Sequence, residues 1–154
     1  TVQGVRKSTA KLKSHIIDYC YINVDLVKGR DVWRLVSAET INNPFIGSYD
    51  KLRARSYIRA LSLVERFCVE EGGEIDLFNH LIQVLKTLES SSDNPNLFDT
   101  IVLWKILVLL GYLELSPDSE KLFYIDLEEI GSVSDSLSKT LIKDVTDAIN
   151  RTHL

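Results

Sequence analysis

The stretch LFDTIVLWKILVLLGY, Leu97 to Tyr112, is the most apolar part of the chain and decides its fold. Ile101, Val102, Leu103, Trp104, Ile106, Leu107, Val108, Leu109 and Leu110 leave no polar stripe on a helix drawn through them. A helix apolar on every side must be covered on every side. Two settings do that: a lipid bilayer and the centre of an all-helical core. Asp99 and Lys105 hold the uninterrupted run well below the roughly 18 to 20 residues that a membrane span requires, and Gly111 supplies a stop. The stretch therefore reads as a central buried helix, with no membrane partner.

On its N-terminal side the helical period continues. Tyr57, Leu61, Val64 and Cys68, with Ala54, Ile58 and Phe67 beside them, form a stripe that runs from an N-cap at Ser48 to Gly72-Gly73. A second helix over Asp76 to Leu88 is expected to bury Phe78, Leu81, Ile82, Leu85 and Leu88. On the C-terminal side Ser116-Pro117-Asp118 reads as a turn, and Leu122 to Ile130 as a short strand or an irregular cover. Ser134 caps a last helix whose Leu137, Leu141, Val145 and Ala148 share a face.

Before Pro44 the period is two. Ala10 and Leu12 alternate with Lys11 and Lys13, and Cys20, Ile22, Val24 and Leu26 alternate with Tyr19, Tyr21, Asn23 and Asp25. Lys28-Gly29-Arg30 makes a turn, and Asp31 to Val36 returns as a strand, giving an antiparallel meander. Pro44 disfavours helix at Asn43 and sets the boundary. The fold class is α+β: a partial β domain over residues 1–44, then an all-helical domain over 45–154. Thr1 in place of an initiating Met predicts that the natural N-terminus lies further upstream.

About 45% of the 154 residues are apolar, enough for a core. Charge is polarised along the chain. Residues 1–59 hold eleven Lys or Arg against five Asp or Glu, and residues 60–154 hold seven against seventeen. A basic segment joined to an acidic one predicts that the first part meets a polyanion. Cys20 and Cys68 stand apart in apolar settings, which suits buried thiols and a cytoplasmic protein better than a disulfide framework. No apolar leader follows the basic, polar residues Thr1 to Ser14.

Neutralising phosphates takes Lys or Arg spread along a groove, and single strands add aromatic stacking platforms. Arg6, Lys7, Lys11, Lys13, Lys28, Arg30 and Arg34 supply the charge, and Tyr19 and Tyr21 the platforms; Trp33 is assigned to the core. Lys51, Arg53, Arg55 and Arg59 lie at a helix N-terminus, where cations oppose the macrodipole. They extend a DNA path, receive an acidic peptide tail, or pair with Glu39, Asp50 or the acidic half of the chain. No catalytic residues are assigned. Ser14, His15 and Asp18 are sequence neighbours rather than a triad, and His80 and His153 have no ligand partners nearby, so no metal or cofactor is expected. No glycine-rich phosphate loop occurs.

The segment order carries more. Gly4-Val5-Arg6-Lys7 is followed by a serine and basic residues, then by Leu26 to Leu35 (LVKGRDVWRL), then by Ala38-Glu39 with Ile41. Ala54 to Glu65 with its tyrosine follows, then Leu77-Phe78 with Leu81, Leu85 and Leu88, and Phe98 to Leu110 leading into Gly111-Tyr112. In this order the chain resembles, over nearly its whole length, the bacterial DNA repair family RecO, a recombination mediator. The resemblance implies a partial OB-fold packed on a helical domain, and binding of single- and double-stranded DNA without enzymatic activity. It also implies annealing and exchange on strands coated by single-stranded-DNA-binding protein, with RecR and the tail of that protein as partners. The rival reading is an adaptor of the same fold whose basic patch recruits an acidic partner. Two features depart from the family: its first OB strands precede the Gly-Val-Arg-Lys segment, and many members carry zinc CxxC motifs after Gly-Tyr. Here no cysteine follows Cys68.

Overall fold

In a computed structural model, which describes residues 16–30, 33–46, 49–67, 74–89, 94–130 and 133–151, the chain divides into two units, Thr1–Gly47 and Ser48–Leu154. An antiparallel ribbon comes first and helices follow, so the class is α+β with a helical domain.

In the first unit β1 (Tyr21–Lys28) pairs antiparallel with β2 (Trp33–Asn42). Ile22 faces Thr40, Val24 faces Ala38, Leu26 faces Leu35 and Lys28 faces Trp33; between them Asn23 faces Glu39, Asp25 faces Ser37 and Val27 faces Arg34. Residues opposite one another share a face, so the alternation read in β1 survives. Register shifts leave Ile41 and Val36 of β2 as bulged residues, and a bulge bends and twists its strand. The Ser37 hydroxyl donates to the Asp25 carboxylate across the pair. Tyr19, at φ 65°, turns the chain into β1 and meets Phe45 edge to face at 6.1 Å. The expected strand over Ala10 and Leu12 lies outside the described residues.

No residue of either strand is buried. Trp33 is 53% exposed, which corrects its assignment to the core. The reason is the number of layers: among the described residues the sheet has two strands, and a two-stranded sheet has no second layer of its own to take up an indole.

The second unit is built on α1 (Lys51–Phe67), α2 (Ile75–Lys86), a 3-10 turn (Thr87–Glu89), α3 (Pro95–Leu109), α4 (Pro117–Phe123) and α5 (Asp135–Arg151). The Asp50 carboxylate caps α1 by accepting from the Leu52 and Arg53 amides, each at 2.8 Å; the expected cap, Ser48, lies outside the described residues. The buried face of α1 is Ala54, Tyr57, Ala60 and Phe67, together with Arg53 and Ser56. Leu61 and Val64 are half-buried, so the stripe is turned from the expected one. α2 is turned likewise. It buries Leu77, His80, Val84 and Leu85, and leaves Phe78 45% exposed.

α3 is the centre. Every residue from Ile101 to Leu107 is buried, and Ile101, Val102, Ile106 and Leu107 have no exposed surface. α1, α2 and α5 pack on it, and Phe123 at the end of α4 meets Trp104 edge to face at 6.2 Å. Among the described residues no helix is long and apolar enough to cross a membrane. Asn94 caps α3 through the Leu97 amide, with Pro95 in its first turn. Gly111 adopts φ 76°, the left-handed conformation that ends a helix without Cβ strain.

Near the C-terminus one expectation changes, and of two alternatives the structure takes the second. Ser116-Pro117-Asp118 is the start of α4 rather than a bare turn, because Ser116 and Ser119 form a capping box and Pro117 sits at the first helical position. Leu122 to Ile130 forms no strand: Leu122 is buried at the end of α4, and beyond it Leu127 and Ile130 are buried as an irregular cover.

Candidate nucleic-acid interface

On the ribbon, Lys28 ends β1 and Trp33 begins β2, and the four-residue connection makes them cross-strand partners. The Lys28 ammonium stands 5.7 Å from the indole centroid, inside the range of cation–π attraction. The face they share carries Val24 (37% exposed), Leu26 (48%) and Leu35. Arg30 is exposed in the connection. Arg34 is exposed on the opposite face, beside Val27. The structure therefore brings Lys28 and Trp33 together and separates Arg34 from them. Tyr19 is engaged with Phe45, and Tyr21 is half-buried at the open end of the ribbon, away from the turn. Arg6, Lys7, Lys11 and Lys13 lie outside the described residues.

The α1 cations divide. Lys51, Arg55 and Arg59 are exposed, and Arg66, which the sequence reading passed over, joins them on the same side at helical spacing. Arg59 forms an ion pair with Asp99 of α3. Arg53 is removed from the surface set: it is 5% exposed, its Nη1 donates to the Thr87 carbonyl at 2.9 Å, and its guanidinium covers the Phe98 ring at 4.6 Å. Burial lowers its pKa, while Asp50 and Glu128 act in the opposite sense. Its work is to tie the start of α1 to the 3-10 turn and α3.

His80 is 4% exposed, its Nε2 sits 3.2 Å from the Val102 carbonyl, and its pKa is pushed down to about 4 by burial, helped by the Lys105 charge and opposed by that hydrogen bond. The Cys20 thiol is pushed up by burial and then by Asp18, away from thiolate reactivity. Among the described residues no three His, Cys, Asp or Glu side chains gather as metal ligands would.

With that geometry in place, comparison with known proteins adds one relative. The chain is similar to a RecO protein. Over 91 residues it is 30% identical to the DNA repair protein RecO of Dehalococcoides mccartyi, a match that covers 58% of this chain and 36% of the relative. The aligned part thus spans little more than a third of that relative's length. No protein-family model matches the chain, and no solved structure does.

The pairing of Lys28 with Trp33 is what the sequence reading missed. A turn placed at Lys28-Gly29-Arg30 puts Lys28 inside the turn, whereas four residues separate the paired Lys28 and Trp33, and register follows from loop length. Arg66 was legible as seven residues beyond Arg59.

Proposed function

We propose that the chain is a non-catalytic DNA-binding protein of DNA repair and recombination, with the ribbon as its strand-binding element. The observation that carries this reading is the exposed Trp33 with the Lys28 ammonium beside it. An exposed indole offers a base a stacking platform, and a neighbouring ammonium meets the adjoining phosphate. Arg30, Arg34, and Arg6, Lys7, Lys11 and Lys13 upstream extend the positive charge. The similarity to RecO supports the reading. An OB-fold built around the ribbon, annealing and exchange on protein-coated strands, and a cytoplasmic setting belong to the same proposal. So do a RecR-like partner and the tail of single-stranded-DNA-binding protein. Lys51, Arg55 and Arg59 on α1 are the proposed second contact, for a DNA backbone or for that acidic tail.

A salt titration with a labelled single-stranded oligonucleotide tests it. The logarithm of the binding constant is expected to fall linearly with that of salt concentration, by about 0.7 per phosphate neutralised. Reversing Lys28, Arg30 and Arg34 to Glu together is expected to flatten that slope and weaken binding at least about tenfold. Trp33→Ala is expected to cost about 1 to 3 kcal/mol of affinity with the slope unchanged. Negligible binding at physiological salt, or binding indifferent to salt, overturns the reading.

A further inference from the structure

Among the described residues Lys105 is the buried ammonium of the helical unit. It is 4% exposed, and its Nζ donates to the Ile125 carbonyl at 2.8 Å. An ammonium has three donors and a full charge, and a single carbonyl dipole balances neither. Asp126 acts on it from an exposed position, yet burial still pushes its pKa down to about 8. Among the described residues no carboxylate forms an ion pair with this ammonium.

It lines a cleft of about 330 Å³ formed by α2, α3 and the end of α4, a size within the range of small-molecule sites. Asp76, Asn79 and Gln83 line it from α2, where their spacing puts them on one side of the helix. Phe123 and Tyr124 line it from the end of α4, with ring centroids 5.4 Å apart; Tyr124 is 76% exposed, an unusual setting for a ring beside a cleft. His80 also lines it, but its Nε2 faces the Val102 carbonyl and its low pKa keeps it neutral, so it contributes shape rather than charge.

We infer that this cleft binds an amino-bearing nucleoside monophosphate, with the phosphate on Lys105, the base against Phe123 and Tyr124, and its edge on Asn79 and Gln83. The three kinds of lining group match the three parts of such a ligand. A phosphate supplies the charge that the buried ammonium lacks. A ring supplies a partner for the exposed aromatic wall. The side-chain amides donate and accept as a base edge requires. Asp76 repels a phosphate and accepts from an exocyclic amine, which fixes the orientation and favours adenine over thymine. This site is independent of the strand-binding ribbon.

Calorimetric titration of the full chain with adenosine monophosphate tests the inference. Saturable binding is expected, with adenosine and inorganic phosphate each at least about tenfold weaker, since each lacks half of the contacts. Tyr124→Ala alters an exposed residue and leaves the core intact; it is expected to weaken binding several-fold. Lys105→Gln is expected to abolish the preference for the nucleotide over adenosine, provided its circular dichroism matches the parent; should it not fold, Asn79→Ala, at an exposed position, takes its place, with weakening expected. No binding at millimolar nucleotide, equal affinity for inorganic phosphate, or unchanged affinity in the folded variants overturns the inference. Because the probe is a mononucleotide, oligonucleotide binding by the ribbon is read separately.

Discussion

The ribbon and the helical unit spend their apolar residues in opposite ways. β1 and β2 keep Val24, Leu26, Val27, Trp33, Val36 and Ile41 more than a third exposed, whereas α3 buries seven consecutive residues, lysine included. The same residue types, Val, Leu, Ile and Trp, thus lie at the surface in one unit and in the core in the other. The difference is the number of neighbours a backbone can recruit. A helix in a bundle is covered by α1, α2 and α5 at once, while among the described residues the ribbon is a sheet of two strands that pair with each other. Mutational cost should follow that division.

The largest expected effect is in α3. Leu107→Ala, at a site with no exposed surface, is expected to cost about 2 to 5 kcal/mol in urea unfolding; a near-neutral result would break the contrast. Next comes acid. His80 is held near pKa 4 when folded and returns to its ordinary 6.5 when unfolded. Between those values the unfolded chain binds a proton that the folded chain does not, so stability is full above pH 6.5 and falls as pH drops toward 4. The loss is about 3 kcal/mol over that window. Urea midpoints measured at several pH values should show this fall, and His80→Gln should remove it. The smallest effect is on the ribbon: Val36→Thr, at a bulged and 58% exposed position, is expected to change stability by less than about 0.5 kcal/mol. A cost of several kcal/mol there would mean that the ribbon face is covered in solution.

Much of this architecture was legible in advance. Period two over Ile22 to Leu26 and apolar residues all round Ile101 to Leu107 identified a strand and a central helix, because both patterns are properties of consecutive residues. The rotation of α1 and α2 was not. Phe78 is more apolar than His80, yet His80 is inside, because the Val102 carbonyl satisfies its ring and α3 covers Leu77 and Val84 beside it. Arg53 read as a surface cation for the same reason: nothing local announces that Thr87 and Phe98 will receive it. The turn at Ser116 hid a helix because its cap depends on Ser119, three residues on, in place of the Glu or Gln of the usual capping box.

By itself the sequence determined which segments alternate and which coil, where charge of each sign accumulates, and that Leu97 to Tyr112 had to be enclosed. Only the tertiary structure decided that Trp33 is exposed beside Lys28, that Arg53 turns inward, and that Lys105 lines a cleft. Periodicity is set by neighbours along the chain and can be read from them. Burial is set by whatever the fold brings opposite a side chain, and the residues opposite come from distant parts of the sequence.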